Sequence, residues 1–141
     1  MKKHIFLTLM LCISLLGGCA VNAHKGILDT GGESMLKLRQ IQTRYFDTSN
    51  KKKTVEAVIA TLQDLGFVLD KASLELGSVT ATKLAGYRLR MTVNVIPRGS
   101  EQMIVRASAQ YNIVPIEDPT PYQHFFDALS KSLFLQAHIE E

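Results

Sequence analysis

The stretch "YRLRMTVNVIPRGSEQMIVRASAQYNI" (residues 87–113) decides the fold. In its first half Tyr87, Leu89, Met91, Val93 and Val95 alternate with Arg88, Arg90, Thr92, Asn94 and Ile96, the period of a strand with one buried face. In its second half Met103, Val105, Ala107, Ala109, Tyr111 and Ile113 alternate with Arg106, Ser108, Gln110 and Asn112. Both apolar sets carry odd numbers. Directly opposed residues share a face only if their numbers sum to an even value, so the hairpin loop around Gly99 has an odd length, about three or five residues, and a two-residue turn is excluded.

The elements around this hairpin follow from the same reasoning. Upstream, "TSNKKKTVEAVIATLQDLGF" (residues 48–67) places Val55, Val58, Ile59, Leu62 and Leu65 on one helical face. Thr48 or Ser49 is the expected cap, Gly66 the left-handed residue that ends the helix, and Phe67 folds back onto it. Residues 67–82 turn to strand chemistry, with Gly77 as a bend and Val79 and Ala81 alternating with Ser78, Thr80 and Thr82. Residues 35–48, "MLKLRQIQTRYFDT", read as a strand whose Lys37, Arg39 and Arg44 suit a sheet edge. Downstream, Thr120 as cap, Pro121 in the first helical position and Gln123 reaching back predict a closing helix. Its buried stripe is Tyr122, Phe125, Phe126, Leu129 and Leu133, which Phe134 and Leu135 widen. The expected fold is α+β, an antiparallel four-stranded sheet with two helices on one face in the order β-α-β-β-β-α, a helix-grip-like arrangement.

The chain has 141 residues, 46% hydrophobic and 21% charged, a balance that suits one ordered domain. Sixteen basic residues face thirteen acidic ones, and without Lys2 and Lys3 the excess falls to one. No nucleic-acid footprint is present. Those two lysines open a segment with the layout of a secretory signal: a charged start, an apolar stretch over residues 5–16, then Gly17, Gly18 and Cys19. The apolar stretch is too short for a membrane span, which needs about 20 residues.

Leu16-Gly17-Gly18-Cys19 resembles the bacterial lipobox. Small side chains let a peptidase reach the bond before Cys19, whose sulfur would take a diacylglyceryl thioether and whose new amino end would be N-acylated with a palmitate-type chain. Several chains anchor stably where one does not. Ordinary cleavage nearby, leaving Cys19 a free thiol, is the alternative; layout, length and position favour lipidation. The implied organisation is a signal peptide over 1–18, a lipidated cysteine and flexible tether over 19–34 with a reach of roughly 20 Å, and a single periplasmic domain over 35–141. Cys12 would leave with the signal, so no disulfide, CxxC or thiol catalyst is expected in the mature chain. Ala20, where Asp is the usual inner-membrane retention signal of Gram-negative lipoproteins, points by that resemblance to the outer membrane.

Catalytic and metal-binding patterns do not emerge. His4 and His24 lie in the signal and tether, and His124 and His138, fourteen residues apart on one helix, stand about 21 Å apart, too far to share a metal. GxSxG, HExxH, P-loop and GxGxxG patterns are lacking, and Asp64, Asp70 and Glu75 read as solvated turn residues. No enzyme, no cofactor and no metal is expected. Two features remain as contact sites. Lys51, Lys52 and Lys53 crowd the first turn of a helix against its macrodipole and suit a membrane surface or an acidic partner. Arg88, Arg90 and Arg106 stand on the polar sheet face, where an acidic partner could dock.

Thr43-Arg44 before Phe46-Asp47-Thr48, "LQDLGF" (residues 62–67), Leu76-Gly77, Lys83 and "YQHFFDALSKSLFL" (residues 122–135) together resemble a family of small bacterial outer-membrane lipoproteins. In topology the domain is similar to the helix-grip modules of the accessory lipoprotein C of outer-membrane barrel assembly. The resemblance implies a noncatalytic subunit of an envelope complex, such as a secretion-system outer-membrane core or an efflux or assembly machine, with membrane lipid and envelope proteins as partners. A module binding a lipid or other apolar ligand between helix and sheet is the alternative.

Overall fold

A computed structural model describes residues 34–84 and 88–139. The long hairpin is its centre: β4 (Arg88–Arg98) pairs antiparallel with β5 (Gln102–Tyr111), Leu89 opposite Tyr111 and Arg98 opposite Gln102. That register leaves the three-residue loop 99–101, with Gly99 at φ +62°, as the parity of the apolar sets requires. Tyr87, read as part of the apolar face, lies outside the described residues.

Around the hairpin the order is α1 (34–41), β1 (Thr43–Phe46), α2 (Lys51–Asp64), β2 (Val68–Ser73), β3 (Ser78–Leu84), β4, β5, β6 (Val114–Pro115) and α3 (Thr120–Ile139). The fold is α+β, with an open antiparallel sheet in the order β1-β5-β4-β3-β2 and β6 also on β5. Among the described residues six strands and three helices stand where four strands and two helices were expected, and each difference has a local cause. Residues 67–82 form a hairpin rather than one bent strand. Gly77 (φ +74°) closes its turn, with its amide on Ser73 O at 2.8 Å and its carbonyl accepting from Val95 N at 2.7 Å. Residues 34–41 are helical because the strong helix formers of "MLKLRQIQTRYF" precede its β-branched and aromatic residues. Lys37 and Arg39 therefore ride on α1, not on an edge strand. Arg44, on β1, donates from Nη1 to Gln40 O (3.0 Å) and Thr43 O (2.9 Å) and lies 5.1 Å from the Phe126 ring centroid. Near the end of the sheet the chain reverses at Asn112 (φ +54°), so Ile113, expected on the apolar face, stands in the turn at 88% exposure.

Helices α2 and α3 cover one face of the sheet. Val55, Val58 and Leu62 of α2 and Tyr122, Phe125, Phe126 and Leu129 of α3 are buried against Met91, Val93, Val95, Val105 and Ala107. Phe134 (62% exposed) and Leu135 (58%) lie outside that stripe. Among the described residues no helix is long and apolar enough to cross a membrane.

The helix ends show where local chemistry differs from the expected caps. Asn50, not Thr48 or Ser49, caps α2: its Oδ1 accepts the Lys53 amide at 3.0 Å, while Thr48 Oγ1 accepts the Asn50 amide at 3.2 Å. Gly66 (φ +83°) ends α2, with Gly66 N on Gln63 O and Phe67 N on Leu62 O, both 2.9 Å, the paired bonds of a Schellman ending. Lys83 Nζ adds a bond to Leu65 O at 2.8 Å, a cation at the negative end of the helix dipole. Before α3, Asp118 Oδ1 rather than Gln123 takes the Thr120 amide, at 2.8 Å.

One buried hydroxyl joins the sheet edge to the core. β1 and β6 both pair with β5 but leave a gap between them, where Ala109 N has no strand partner. Tyr122 Oη fills it, accepting from Ala109 N (3.1 Å) and Gln42 Nε2 (3.2 Å) and donating to Ile116 O (2.7 Å). The edge stays hydrogen-bonded where a buried amide would otherwise be orphaned.

Candidate functional site: the open face of the sheet

Alternation that buries the odd-numbered residues of β3, β4 and β5 under the helices turns the even-numbered ones to the other face, where they are half-buried or exposed. Register then fixes the rows. Ser78, Asn94 and Arg106 lie abreast; Thr80, Thr92 and Ser108 form the next row; Thr82, Arg90 and Gln110 the one after. At one end Tyr45, Ile104 and Ile96 stand side by side, with the Arg98 guanidinium 4.7 Å from the Tyr45 ring centroid. At the other end Arg88 opposes Leu84, and both are exposed.

The β2 strand brings a residue to this face that alternation did not foresee. Its register shifts between Leu69 and Lys71, a bulge at Asp70 that puts Lys71 opposite Thr80. Asp70, expected to be a solvated turn carboxylate, accepts a 2.6 Å hydrogen bond from Thr82 Oγ1 and lies 3.9 Å from Arg90 Nε. Strand residues on the open face therefore set Lys71, Arg88, Arg90, Arg98 and Arg106 against the single carboxylate of Asp70. Asp47 stands at the rim, accepting from Gln102 Nε2 at 2.7 Å. A hollow of about 440 Å³ opens in the middle of the face, lined by Thr80, Arg90, Thr92, Ser108 and Gln110 and walled by Gln42 and Pro115 at the gap between β1 and β6.

The two predicted contact sets do not come together. Arg88, Arg90 and Arg106 share the open face, whereas Lys51, Lys52 and Lys53 begin α2 on the covered side. Nor do the lysines act as one patch, because successive helix positions diverge. Lys51 Nζ donates to Glu75 O at 2.6 Å and clasps the β2–β3 turn. Lys52 pairs with Glu56 at 3.8 Å. Lys53 borders a separate hollow of about 410 Å³ with Phe46, Asn50, Leu133 and Phe134. Cys19, the predicted lipidation site, lies outside the described residues.

Other chemistry is sparse. The groove between helices and sheet holds a hollow of about 190 Å³ lined by Leu65, Phe67, Leu89, Met91, Tyr111 and His124, below the roughly 300 Å³ at which ligand pockets begin. Among the described residues no three His, Cys, Asp or Glu side chains could hold a metal ion. Asp118, at the start of α3, has its pKa lowered by the Thr120 backbone amide and then by the Thr120 hydroxyl. Sequence reasoning missed Asp70, the Arg98–Tyr45 stack and the Tyr122 plug. Only the last had a signal, a tyrosine in an otherwise wholly apolar stripe. No protein-family model matches the chain, and no curated protein matches it.

Proposed function

We propose that the protein is a bacterial lipoprotein held at the outer membrane by the diacylglyceryl and N-acyl chains of Cys19, its helix-grip-like domain facing the periplasm as a noncatalytic subunit of an envelope complex. Secretion-system cores and efflux or assembly machinery are the class of complex meant. The lipobox at residues 16–19 supports the anchor. The observation that carries the docking role is the charge of the uncovered sheet face, five cations against one carboxylate. Arginine is enriched in interfaces, and a basic face both attracts an acidic partner and repels a basic one. The alternative, a lipid or other apolar ligand between helix and sheet, would have to open a groove now holding about 190 Å³.

Two measurements test the reading. Radiolabelled palmitate enters the wild type and not Cys19→Ser; no label in the wild type ends the anchor. Envelope proteins that co-purify with the full chain are lost when Arg88, Arg90 and Arg106 are all changed to Gln and kept when Lys51, Lys52 and Lys53 are. Retention in the arginine variant ends the docking assignment.

A further inference from the structure

We propose that the hollow around Arg90 is a carboxylate-binding subsite that takes the carboxylate of an extended peptide segment. The inference rests on the docking role of the open face, and it names the group that is read there.

The hollow is rich in donors and contains no acid. Arg90 supplies the cation, with its side chain 41% exposed. The hydroxyls of Thr80 and Thr92 lie 3.2 Å apart, so one donates to the other and one hydroxyl hydrogen is left to give. Ser108 spends its hydroxyl on a long 3.4 Å bond to Thr92 O, and the Gln110 amide lines the same hollow.

Arg90 keeps a donor unused. Its Nε is shut off from solvent with no hydrogen-bond partner among the described residues. The nearest carboxylate oxygen, Asp70 Oδ2, is 3.9 Å away, beyond hydrogen-bond range, and is already taken by Thr82 Oγ1 at 2.6 Å. A guanidinium carries five donors in a planar fork. Among the described residues Nε has an ion pair but no hydrogen bond, and the part of the side chain that stays exposed is what an incoming carboxylate meets.

The chemistry favours a carboxylate over a phosphate. One guanidinium with hydroxyls beside it matches a planar monoanion, which arginine binds with two parallel bonds. The carboxylate of Asp70 at the margin would repel a dianion more strongly. The hollow lies across the strand pairs of the open face between the Gln42 and Pro115 walls, so an extended peptide can lie over it from the open side.

The test measures fluorescence anisotropy of labelled hexapeptides on the detergent-solubilised full chain. One peptide ends in a free carboxylate, a second is amidated and carries one glutamate, and a third is amidated and neutral. Binding of the first alone assigns a chain terminus, and binding of the second alone assigns an acidic side chain. Arg90→Gln should weaken the bound peptide about tenfold, the scale of a charge-assisted pair. Asp70→Asn should strengthen it about threefold by removing the competing carboxylate, a gain that misfolding does not produce. Lys131→Gln, an exposed position on α3 away from the open face, should leave it within about twofold. Equal binding of the neutral peptide, equal losses in the Lys131 and Arg90 variants, or displacement by inorganic phosphate more readily than by acetate overturns the subsite. If peptide binding follows these rules while no envelope protein depends on the arginines, the docking role fails and the subsite stands.

Discussion

The two faces of one sheet come from the same strands and differ in nearly every physical respect. Along β4, Leu89, Met91, Val93 and Val95 point under the helices and are at most 8% exposed. Their neighbours Arg88, Arg90, Thr92 and Asn94 point the other way, and none of them is buried. Alternation puts one residue on the folding side and the next on the proposed contact side, so the strand holds the domain together without using the face proposed to meet partners. Fold stability and recognition should therefore respond to different mutations.

The largest expected effect lies on the covered face. Phe125→Ala empties a fully buried ring site packed edge-on to Phe126, with centroids 5.2 Å apart. It should cost about 3–5 kcal/mol in urea unfolding. Arg106→Gln on the open face should stay within about 0.5 kcal/mol. Similar losses from both would mean that something covers the open face.

Gly77→Ala comes next. A Cβ there would lie 2.5 Å from Val95 O and 2.7 Å from Lys51 Cε, at a backbone φ of +74°. The lysine tip can move; the β4 carbonyl is fixed by its strand. Left-handed backbone and overpacking together should cost roughly 2–4 kcal/mol, read as a lower denaturation midpoint with the urea slope unchanged. Tyr122→Phe keeps the ring and removes only the hydroxyl, stranding Ala109 N and Ile116 O. A loss of about 1–3 kcal/mol is expected, together with faster hydrogen exchange at the Ala109 amide.

The contrast between faces also separates what the sequence could express from what it could not. The β4–β5 hairpin was legible from Leu89 to Ala109, with its loop narrowed to about three or five residues, because both strands keep alternation there and parity is arithmetic; beyond it Tyr111 and Ile113 are exposed. The same reasoning failed on β2, where the bulge at Asp70 shifts the register and carries a carboxylate to the side of Arg90. A bulge leaves no mark in hydrophobic period, so the most informative neighbour of the candidate site was hidden. Residues 35–41 were misread for a related reason: a segment of about seven residues is too short for period to tell helix from strand, and intrinsic helix propensity decided instead. The lysine triplet was legible as a charge run, but its division among Glu75, Glu56 and the Phe134 hollow belongs to tertiary structure.

The smallest expected effect concerns the start of α3, where sequence and structure name different caps. Asp118 takes the Thr120 amide, and its pKa is lowered by that bond and by the Thr120 hydroxyl. A carboxyl whose folded pKa lies below its unfolded one binds its proton more tightly when unfolded. Its contribution is thus fully present above the usual carboxylate range and disappears as pH falls through the lowered folded value. Asp118→Asn should flatten that part of the acid limb of the stability curve and leave stability above pH ~6 only slightly reduced, since asparagine also caps. Thr120→Val removes one of the two bonds and should flatten the limb less. Were Thr120 the cap, neither change would flatten the limb, because its hydroxyl does not titrate and Asp118 would have no amide to hold. Because Asp118 is fully exposed, added salt should shrink its contribution toward zero, while the loss from Phe125→Ala, being apolar, persists.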